Sequence, residues 1–125
     1  MNIKSLIPKD KFDIETANKL SNYSFEEIQP IIPYLLELLQ DLNWPVSKTI
    51  ADFLIPFSEN ISFQLVQILQ GKDEMWKYWV LAVFGNIVKD ELFLNEIKRI
   101  AQNPTYEEVN AEVSELAKEI IISKF

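Results

Sequence analysis

The sequence predicts an all-α fold, a short α-solenoid of about three stacked helical hairpins within a single domain that spans residues 1–125. Apolar residues recur at spacings of three and four along the whole chain, as in helices that bury one face. Strand-like alternation is hard to find, and the two glycines form no flexible linker between domains. A short block of residues also recurs at predicted helix ends, which is typical of stacked helical repeats.

The recurring block predicts one helical hairpin per repeat. Its copies are Leu38-Leu39-Gln40-Asp41, Ile68-Leu69-Gln70-Gly71 and Ile100-Ala101-Gln102-Asn103, with glutamines at positions 40, 70 and 102, which are 30 and then 32 residues apart. After each copy a short turn leads to an aromatic residue that begins the next helix: Trp44, Trp76 and Tyr106. The alternative is an irregular helical bundle whose helix ends coincide by chance.

Seven helical segments are predicted in all. The first covers about residues 11–20, with three apolar contacts: Phe12, Ala17 and Leu20. The second opens at Ser24, where Glu27 completes a capping box. Pro30 and Pro33 divide it into a short turn and a longer helix. The apolar stripe of that longer helix is Leu35, Leu38, Leu39 and Leu42.

The third helix is predicted to have Pro45 in its first turn, because the missing N–H needs no partner there, and to end near Pro56. Its apolar face is Val46, Ile50, Phe53, Leu54 and Phe57. The fourth helix covers about residues 60–70 and stops at Gly71, a residue type favoured after helix ends.

The fifth helix is capped by Asp73 and is apolar on most sides, so it is expected in the middle of the structure. Its main stripe is Trp76, Trp79, Val80, Val83, Phe84 and Ile87. The sixth covers about residues 89–102, with apolar contacts Leu92, Leu94, Ile97 and Ile100. A capping box of Thr105 and Glu108 opens the seventh, which continues to the C-terminal region. Its inward residues are Val109, Val113, Leu116 and Ile120.

The composition excludes several classes of catalyst and metal site. The chain has no histidine and no cysteine, which excludes zinc sites of the Cys/His type, disulfides, Ser-His-Asp triads and Cys-His dyads. No phosphate-cradling motif is present, and no pair of carboxylates stands out from the others. We therefore predict no cofactor, no metal site and no catalytic residue, and an enzyme is the less favoured class.

The charge pattern bears on the kind of partner. With 12 basic and 19 acidic residues, the net charge is −7, and the lysines are scattered along the chain. Nucleic acid is not expected, since phosphate binding depends on clustered basic residues. A membrane is not expected either, because no long uncharged apolar run occurs and the first residues do not resemble a signal peptide. A cytoplasmic location is the expectation.

Aromatic and polar residues near the predicted turns are candidates for a binding surface. Trp44 and Tyr78 are expected at the surface. Trp76 and Trp79 share one apolar stripe, so they are expected in the core. Further residues that could converge on one concave surface are Lys9, Asp10, Lys11, Asp13, Asn43, Lys48 and Lys77. The alternative for these charges is a solvated surface, including a lysine–aspartate pair one helical turn apart.

The last predicted helix carries an acidic face of Glu108, Glu112, Glu115 and Glu119. Like charges one turn apart destabilise an isolated helix by about 0.2–0.5 kcal/mol each. The positive helix N-terminus accounts for Glu108 but not for the other three. A solvated face is the first interpretation of Glu112, Glu115 and Glu119, a basic partner is the second, and a hard cation such as Mg²⁺ comes last.

Four segments, in order along nearly the whole chain, carry a family resemblance: Leu6-Ile7-Pro8-Lys9-Asp10-Lys11-Phe12-Asp13, Asn43-Trp44-Pro45-Val46, Trp76-Lys77-Tyr78-Trp79 and Asn103-Pro104-Thr105-Tyr106-Glu107-Glu108. Together they resemble the bacterial family known as domain of unknown function 5071. The resemblance implies a HEAT-like stack of helical hairpins, in agreement with the repeat. It assigns no catalytic or binding residue.

The sequence favours a non-enzymatic module that binds a protein or peptide. Its acidic surface suits a basic partner, as in an adaptor or an immunity-type inhibitor that neutralises a toxin. The alternative is a small-molecule-binding or enzymatic domain with a pocket around Trp44, Lys48, Tyr78 and residues 9–13. A third possibility is a domain that mediates self-association; a monomer or weak homodimer is expected.

Overall fold

The computed structural model describes residues 2–124, and every regular element among them is helical. The all-α prediction is therefore confirmed for this part of the chain. The chain divides into two compact units, Met1–Phe57 and Ser58–Phe125.

The first unit consists of short helices joined by tight turns. Its α-helices are α1 (Ile14–Lys19), α2 (Phe25–Ile28), α3 (Ile32–Glu37) and α4 (Ser47–Leu54). Single 3-10 turns lie at Ile3–Leu6, Leu20–Asn22, Gln29–Ile31 and Ile55–Phe57. The predicted capping box is confirmed at the start of α2, where Ser24 and Glu27 each bond to the backbone of the other. The two prolines do divide this segment, because α2 and α3 are separated by the turn that contains Pro30.

The core of the first unit comes from apolar residues at helical spacing. Its fully buried members include Leu20, Ile28, Ile31, Ile32, Leu35, Leu39, Val46, Ile50 and Leu54. Helix α1 packs against α4, and the N–H of Val46 donates to the carbonyl of Lys11 at 3.1 Å. The segment before α1 is thereby held to the start of α4.

Two predictions for the first unit need correction. Helix α1 begins at Ile14, because the Asp13 side chain caps it, and Phe12 lies outside the helix with 65% of its surface exposed. Helix α4 begins at Ser47, so Pro45 precedes the helix instead of lying in its first turn.

The second unit contains the longer helices. They are α5 (Ser62–Leu69), α6 (Glu74–Phe84), α7 (Glu91–Gln102), α8 (Tyr106–Asn110) and α9 (Val113–Lys124). Helix α9 packs against α7, α6 and α8, and α5 packs against α6 and α7. The core between them includes Leu65, Leu69, Val80, Leu81, Phe84, Phe93, Ile97, Ile100, Val113, Ala117 and Ile120.

Helix α6 buries a face that agrees only in part with the predicted stripe, at Val80 and Phe84. Its buried residues are Lys77, Val80, Leu81 and Phe84, whereas Trp76, Trp79 and Val83 are half-buried and Ile87 is exposed. The predicted cap is confirmed, since the Asp73 side chain accepts a hydrogen bond from the N–H of Trp76. The stripe was misjudged because a lysine was not expected on the buried side.

The predicted seventh helix is two helices. Its capping box is confirmed at Thr105 and Glu108, but α8 ends at Asn110 and α9 begins at Val113. Glu112 lies at the break with a φ of 65°, a left-handed conformation that ends one helix before the next begins. Apolar periodicity continues through the break, so the sequence pattern alone did not reveal it.

The recurring block marks helix ends more loosely than predicted. Gln70 directly follows α5 and Gln102 is the last residue of α7, but Gln40 lies three residues beyond the end of α3. Of the aromatic residues that follow, Tyr106 begins α8, whereas Trp44 precedes α4 by three residues.

Gly85 permits the close approach of α6 to α9. A methyl group at this position would overlap the Ile120 side chain of α9 and the carbonyl oxygen of Leu81. We expect Gly85→Ala to lower the free energy of unfolding by about 1–3 kcal/mol, as overpacking does in cores. Urea denaturation measures the change. Ala82→Ser, which adds one heavy atom on the exposed side of α6, is the control and should be near neutral. Equal stability of Gly85→Ala and the control would contradict this packing.

Candidate functional site

The N-terminal charged residues lie in the first unit and serve local structure. The Asp13 carboxylate accepts hydrogen bonds from the N–H of Lys9 at 2.9 Å and of Thr16 at 3.2 Å. These bonds, the one from Lys9 first, lower the pKa of Asp13. Asp10 accepts from the N–H of Phe12, and the Lys11 ammonium lies 5.4 Å from the centre of the Phe12 ring. Lys9, Asp10 and Lys11 are exposed.

The remaining candidates of the first unit lie at the start of α4. Asn43 is exposed and Trp44 is half-buried. The Lys48 ammonium lies 3.8 Å from Asp52, and both side chains are exposed. The lysine–aspartate pair predicted on this helix is therefore present. The predicted pocket also needs Tyr78, which is half-buried on α6 of the second unit and makes an edge contact with Trp79. That pocket stays a prediction.

A buried ion-pair network lies where α6, α7 and α8 meet in the second unit. Its centre is Glu108, whose side chain has no exposed surface. Arg99 donates to both carboxylate oxygens of Glu108 at 2.8 Å, through Nη1 and Nη2. Lys77 Nζ donates to Glu108 Oε2 at 3.1 Å, and the N–H of Thr105 donates to Oε1 at 2.8 Å.

Two outer carboxylates complete the network. Glu74 accepts from Lys77 at 3.0 Å, and Glu96 Oε1 accepts from Arg99 Nε at 2.8 Å. Lys77 is 3% exposed, so its ammonium is paired inside the unit and does not lie on a concave surface. Glu108 is likewise absent from the exposed acidic face predicted for the last helix. Neither burial was foreseen, because spacing identifies the capping box but not the distant cations.

The network changes the acidity of its members. Burial by itself would raise the pKa of Glu108, but hydrogen bonds from Arg99, from the backbone of Thr105 and from Lys77 outweigh it and lower that pKa to about 2. The hydrogen bond to Glu108 raises the pKa of the Arg99 guanidinium above its ordinary value. Glu108 is therefore a carboxylate at neutral pH and holds its cations as fixed charges.

The other predicted glutamates are exposed. Glu112 lies at the break before α9, while Glu115 is in the first turn of α9 and 3.4 Å from Lys118. Because α9 begins at Val113, its positive N-terminus also stabilises Glu115, which the single-helix prediction had left unexplained. Glu119 lies one turn further along and is exposed.

A groove with a volume of about 380 Å³ lies between α5 and α7. Eight residues line it: Ser62, Phe63, Val66, Gln70, Asp90, Leu92, Asn95 and Glu96. Phe63 is 67% exposed and Leu92 is 64% exposed, and these are the large apolar side chains of α5 and α7 that lie open to solvent. The prediction that Leu92 faces the core is wrong, because α7 buries Phe93 instead.

The groove combines exposed apolar surface with negative charge. Two of its lining residues, Asp90 and Glu96, are acidic, and none is basic. Asp90 also caps α7 through the N–H of Phe93, and Glu96 is held by Arg99. The arrangement can receive an apolar side chain at Phe63 and Leu92 and a cation at the carboxylates.

One end of the groove is fixed by Glu59. Its carboxylate, three residues before α5, accepts from the N–H of Lys89 at 2.8 Å and of Asp90 at 3.0 Å, just before α7. These bonds join the starts of the two helices that form the groove walls. A carboxylate at this position also complements the positive N-terminus of α7.

Sequence reasoning did not identify the groove. The sequence signal for such a groove is a large apolar residue that does not lie on the buried face of its helix. Phe63 lies two residues from Leu65, and Leu92 directly precedes Phe93, so neither can share the buried face of its neighbour.

Within residues 2–124, no group of three or more acidic side chains is arranged to hold a metal ion. Over the same residues, none of the helices combines the length and the apolar character that crossing a membrane requires.

The comparison with protein families agrees with the resemblance noted in the sequence. The model of the family Domain of unknown function (DUF5071) matches residues 6–121, which is nearly the whole chain. The chain belongs to this family. No curated protein matches it.

The low pKa of Glu108 predicts how stability depends on pH. The folded pKa of about 2 lies below the ordinary value of 4.5, so the stabilisation is complete above about pH 5 and is lost as pH falls towards 2. We expect this group to contribute on the order of 1–3 kcal/mol to the acid-induced loss of stability. Urea denaturation between pH 2 and pH 6 measures it.

The variant Glu108→Gln should be less stable at neutral pH and should lose less stability on acidification than the unchanged protein. Glu119→Gln, at an exposed glutamate of α9, is the control and should keep the full acid dependence. If Glu108→Gln lost as much unfolding free energy between pH 6 and pH 2 as the unchanged protein, Glu108 would not be the group responsible for the acid dependence.

Proposed function

We propose that this chain is a non-enzymatic protein-binding module whose groove between α5 and α7 receives a basic partner. The observation that carries the proposal is the pairing of two exposed apolar side chains, Phe63 and Leu92, with two carboxylates, Asp90 and Glu96, in one groove. Exposed apolar surface rimmed by polar groups is typical of interaction sites.

A protein suits this groove better than a small molecule. Small-molecule sites are concave pockets that bury about 70–90% of the ligand surface. Here the side chains of Phe63 and Leu92 are each about two-thirds exposed, so the groove is open to solvent. Binding to an open groove removes the most apolar surface from water when the partner is large enough to contact Phe63 and Leu92 at once.

Charge favours a basic partner. The chain has a net charge of −7, and two cations of the second unit, Lys77 and Arg99, are engaged in the network around Glu108. The exposed glutamates 112, 115 and 119 add to the negative surface of this unit. Complementary charge raises the association rate and disfavours acidic competitors. An adaptor, or an inhibitor that neutralises a basic toxin in the bacterial cytoplasm, fits this chemistry.

We also propose that the helices follow a HEAT-like repeat pattern. The recurring block at helix ends and the resemblance to the family support this arrangement. Repeat proteins of this kind commonly bind other proteins along surfaces formed by successive helices, which agrees with a groove between α5 and α7.

Capture from a lysate of the host cells, at about 0.05 M and 0.5 M salt, tests the binding function, because exposed charge pairs are largely screened at the higher concentration. The bait is the unchanged protein, a groove variant (Phe63→Ser with Leu92→Ser) or a control variant (Tyr106→Ser with Ile122→Ser). The control changes two side chains that are 78% and 77% exposed outside the groove. We expect one basic protein to be retained by the unchanged and control baits, and about tenfold less by the groove variant.

Absence of any basic protein whose retention depends on salt would contradict the binding function. Equal retention by the groove and control variants would exclude the groove. If retention were lost only when glutamates 112, 115 and 119 are changed together to glutamine, the acidic face of α9 would be the site instead.

A further inference from the structure

Resting on the proposed function, we infer that the groove receives an amphipathic helix of the partner. This helix places a large apolar side chain between Phe63 and Leu92, and a lysine or arginine beside Glu96. The geometry of the two groove walls, the exposed apolar pair and the orientation of Glu96 each support one part of this description.

The helical form follows from the backbone chemistry of the groove. Residues 2–124 contain no strand whose edge an extended peptide could join, and the interior backbone groups of α5 and α7 bond along their own helices. A segment lying on the apolar surface must therefore satisfy its own backbone, as a helix does. The α5 side of the groove runs from Ser62 to Gln70, eight steps along the chain, which is about 12 Å at 1.5 Å per residue. This length corresponds to roughly two turns of a partner helix.

The apolar contact follows from the two exposed rims. Phe63 stands on α5 and Leu92 on α7, with the half-buried Val66 as a third apolar lining residue. A leucine or aromatic side chain that enters between them would remove all three from water. Such an anchor is typical of helices that bind in grooves with apolar residues at positions i, i+3, i+4 and i+7.

The cationic contact follows from Glu96. Its Oε1 accepts from Arg99 Nε, and Arg99 is itself held by the buried Glu108, so the Glu96 carboxylate is oriented before any partner arrives. Asp90 places a second carboxylate in the lining. A lysine or arginine one turn from the apolar anchor would lie close to these charges, and no lysine or arginine is among the residues that line the groove.

A second copy of this chain is a poor occupant of the groove. In a two-fold dimer the same surface meets itself, which would bring the carboxylates of one groove against those of the other. The net charge of −7 on each copy opposes the same contact.

Three labelled peptides of about 14 residues test the inference by fluorescence anisotropy; a helix of this length is about 21 Å long. The Leu-Lys peptide carries leucine at i, i+3, i+4 and i+7 with lysine elsewhere. The Leu-Glu peptide replaces lysine by glutamate, and the Ser-Lys peptide replaces leucine by serine. We expect the Leu-Lys peptide to bind at least about tenfold more tightly than either of the others.

Variants of the protein assign the two contacts. Phe63→Ala should weaken binding of the Leu-Lys peptide by about tenfold, with Ile122→Ala as the matched control. Glu96→Gln should weaken it about threefold to tenfold at low salt and less at high salt, with Glu119→Gln as the control. Nitrogen-15 chemical-shift mapping on the unchanged protein should place the peptide at residues 62–70 and 90–96, whether or not the variants fold.

Three results would overturn the inference. One is equal binding of all three peptides or of none, and another is a set of shifted amides outside the groove. The third is a dimer in sedimentation that Phe63→Ala dissociates, which would assign the groove to a second copy. A basic partner captured from lysate would still support the binding function in each case, although the second and third results would place its site outside the groove. Failure of this inference is therefore distinguishable from failure of the binding function.

Discussion

The carboxylate of Glu108 is the one charge of the second unit that is fully enclosed, within the part of the chain that the structure describes. It reaches three elements at once, through Lys77 on α6, Arg99 on α7 and the backbone at the start of α8. A buried charge without partners would cost several kcal/mol, so these helices cannot separate without exposing or unpairing it. Apolar packing supplies most of the stability, and the network ties α6, α7 and the start of α8 to one another.

The same network reaches the surface at the groove. Arg99 bonds to Glu108 on its inner side and to Glu96 on its outer side, and Glu96 lines the groove between α5 and α7. Glu59 fixes the other end of the groove by joining the starts of the two helices. The proposed binding surface therefore stands on elements held by charge-assisted hydrogen bonds, which suits recognition without rearrangement.

The sequence predicted the local structure of this chain better than its buried faces. Ser24, Asp73 and Thr105 all cap helices as expected, because a capping side chain and its target N–H are close along the chain. The burial of Lys77 was not predictable from spacing, since it depends on Glu108, which is 31 residues away.

The candidate site shows the same division between local and distant contacts. Asp13 and Lys48 have the local partners that spacing suggests. The groove joins side chains from two helices, and the sequence pattern does not reveal it, because the predictions assign no face to the helix that carries Phe63 and place Leu92 among the packing residues of its helix. A helical stripe predicts which side of a helix is apolar, but it does not say which of several adjacent apolar residues a neighbouring helix will cover. Phe93 is covered in α7, and Leu92 is not.

A double-mutant cycle between Lys77 and Glu108 tests most directly whether the buried network couples α6 to α8. The free energy of unfolding is measured for Lys77→Met, Glu108→Gln and the double variant at neutral pH. Each single change removes one ion of the buried pair. Lys77→Met leaves Glu108 with Arg99 as its cation. Glu108→Gln leaves Lys77 with Glu74 as its carboxylate. Each should cost about 3 kcal/mol. The double variant should lose at least about 1 kcal/mol less than the sum of the two. Losses that add to within about 0.5 kcal/mol would show that the two residues act independently and would contradict the account.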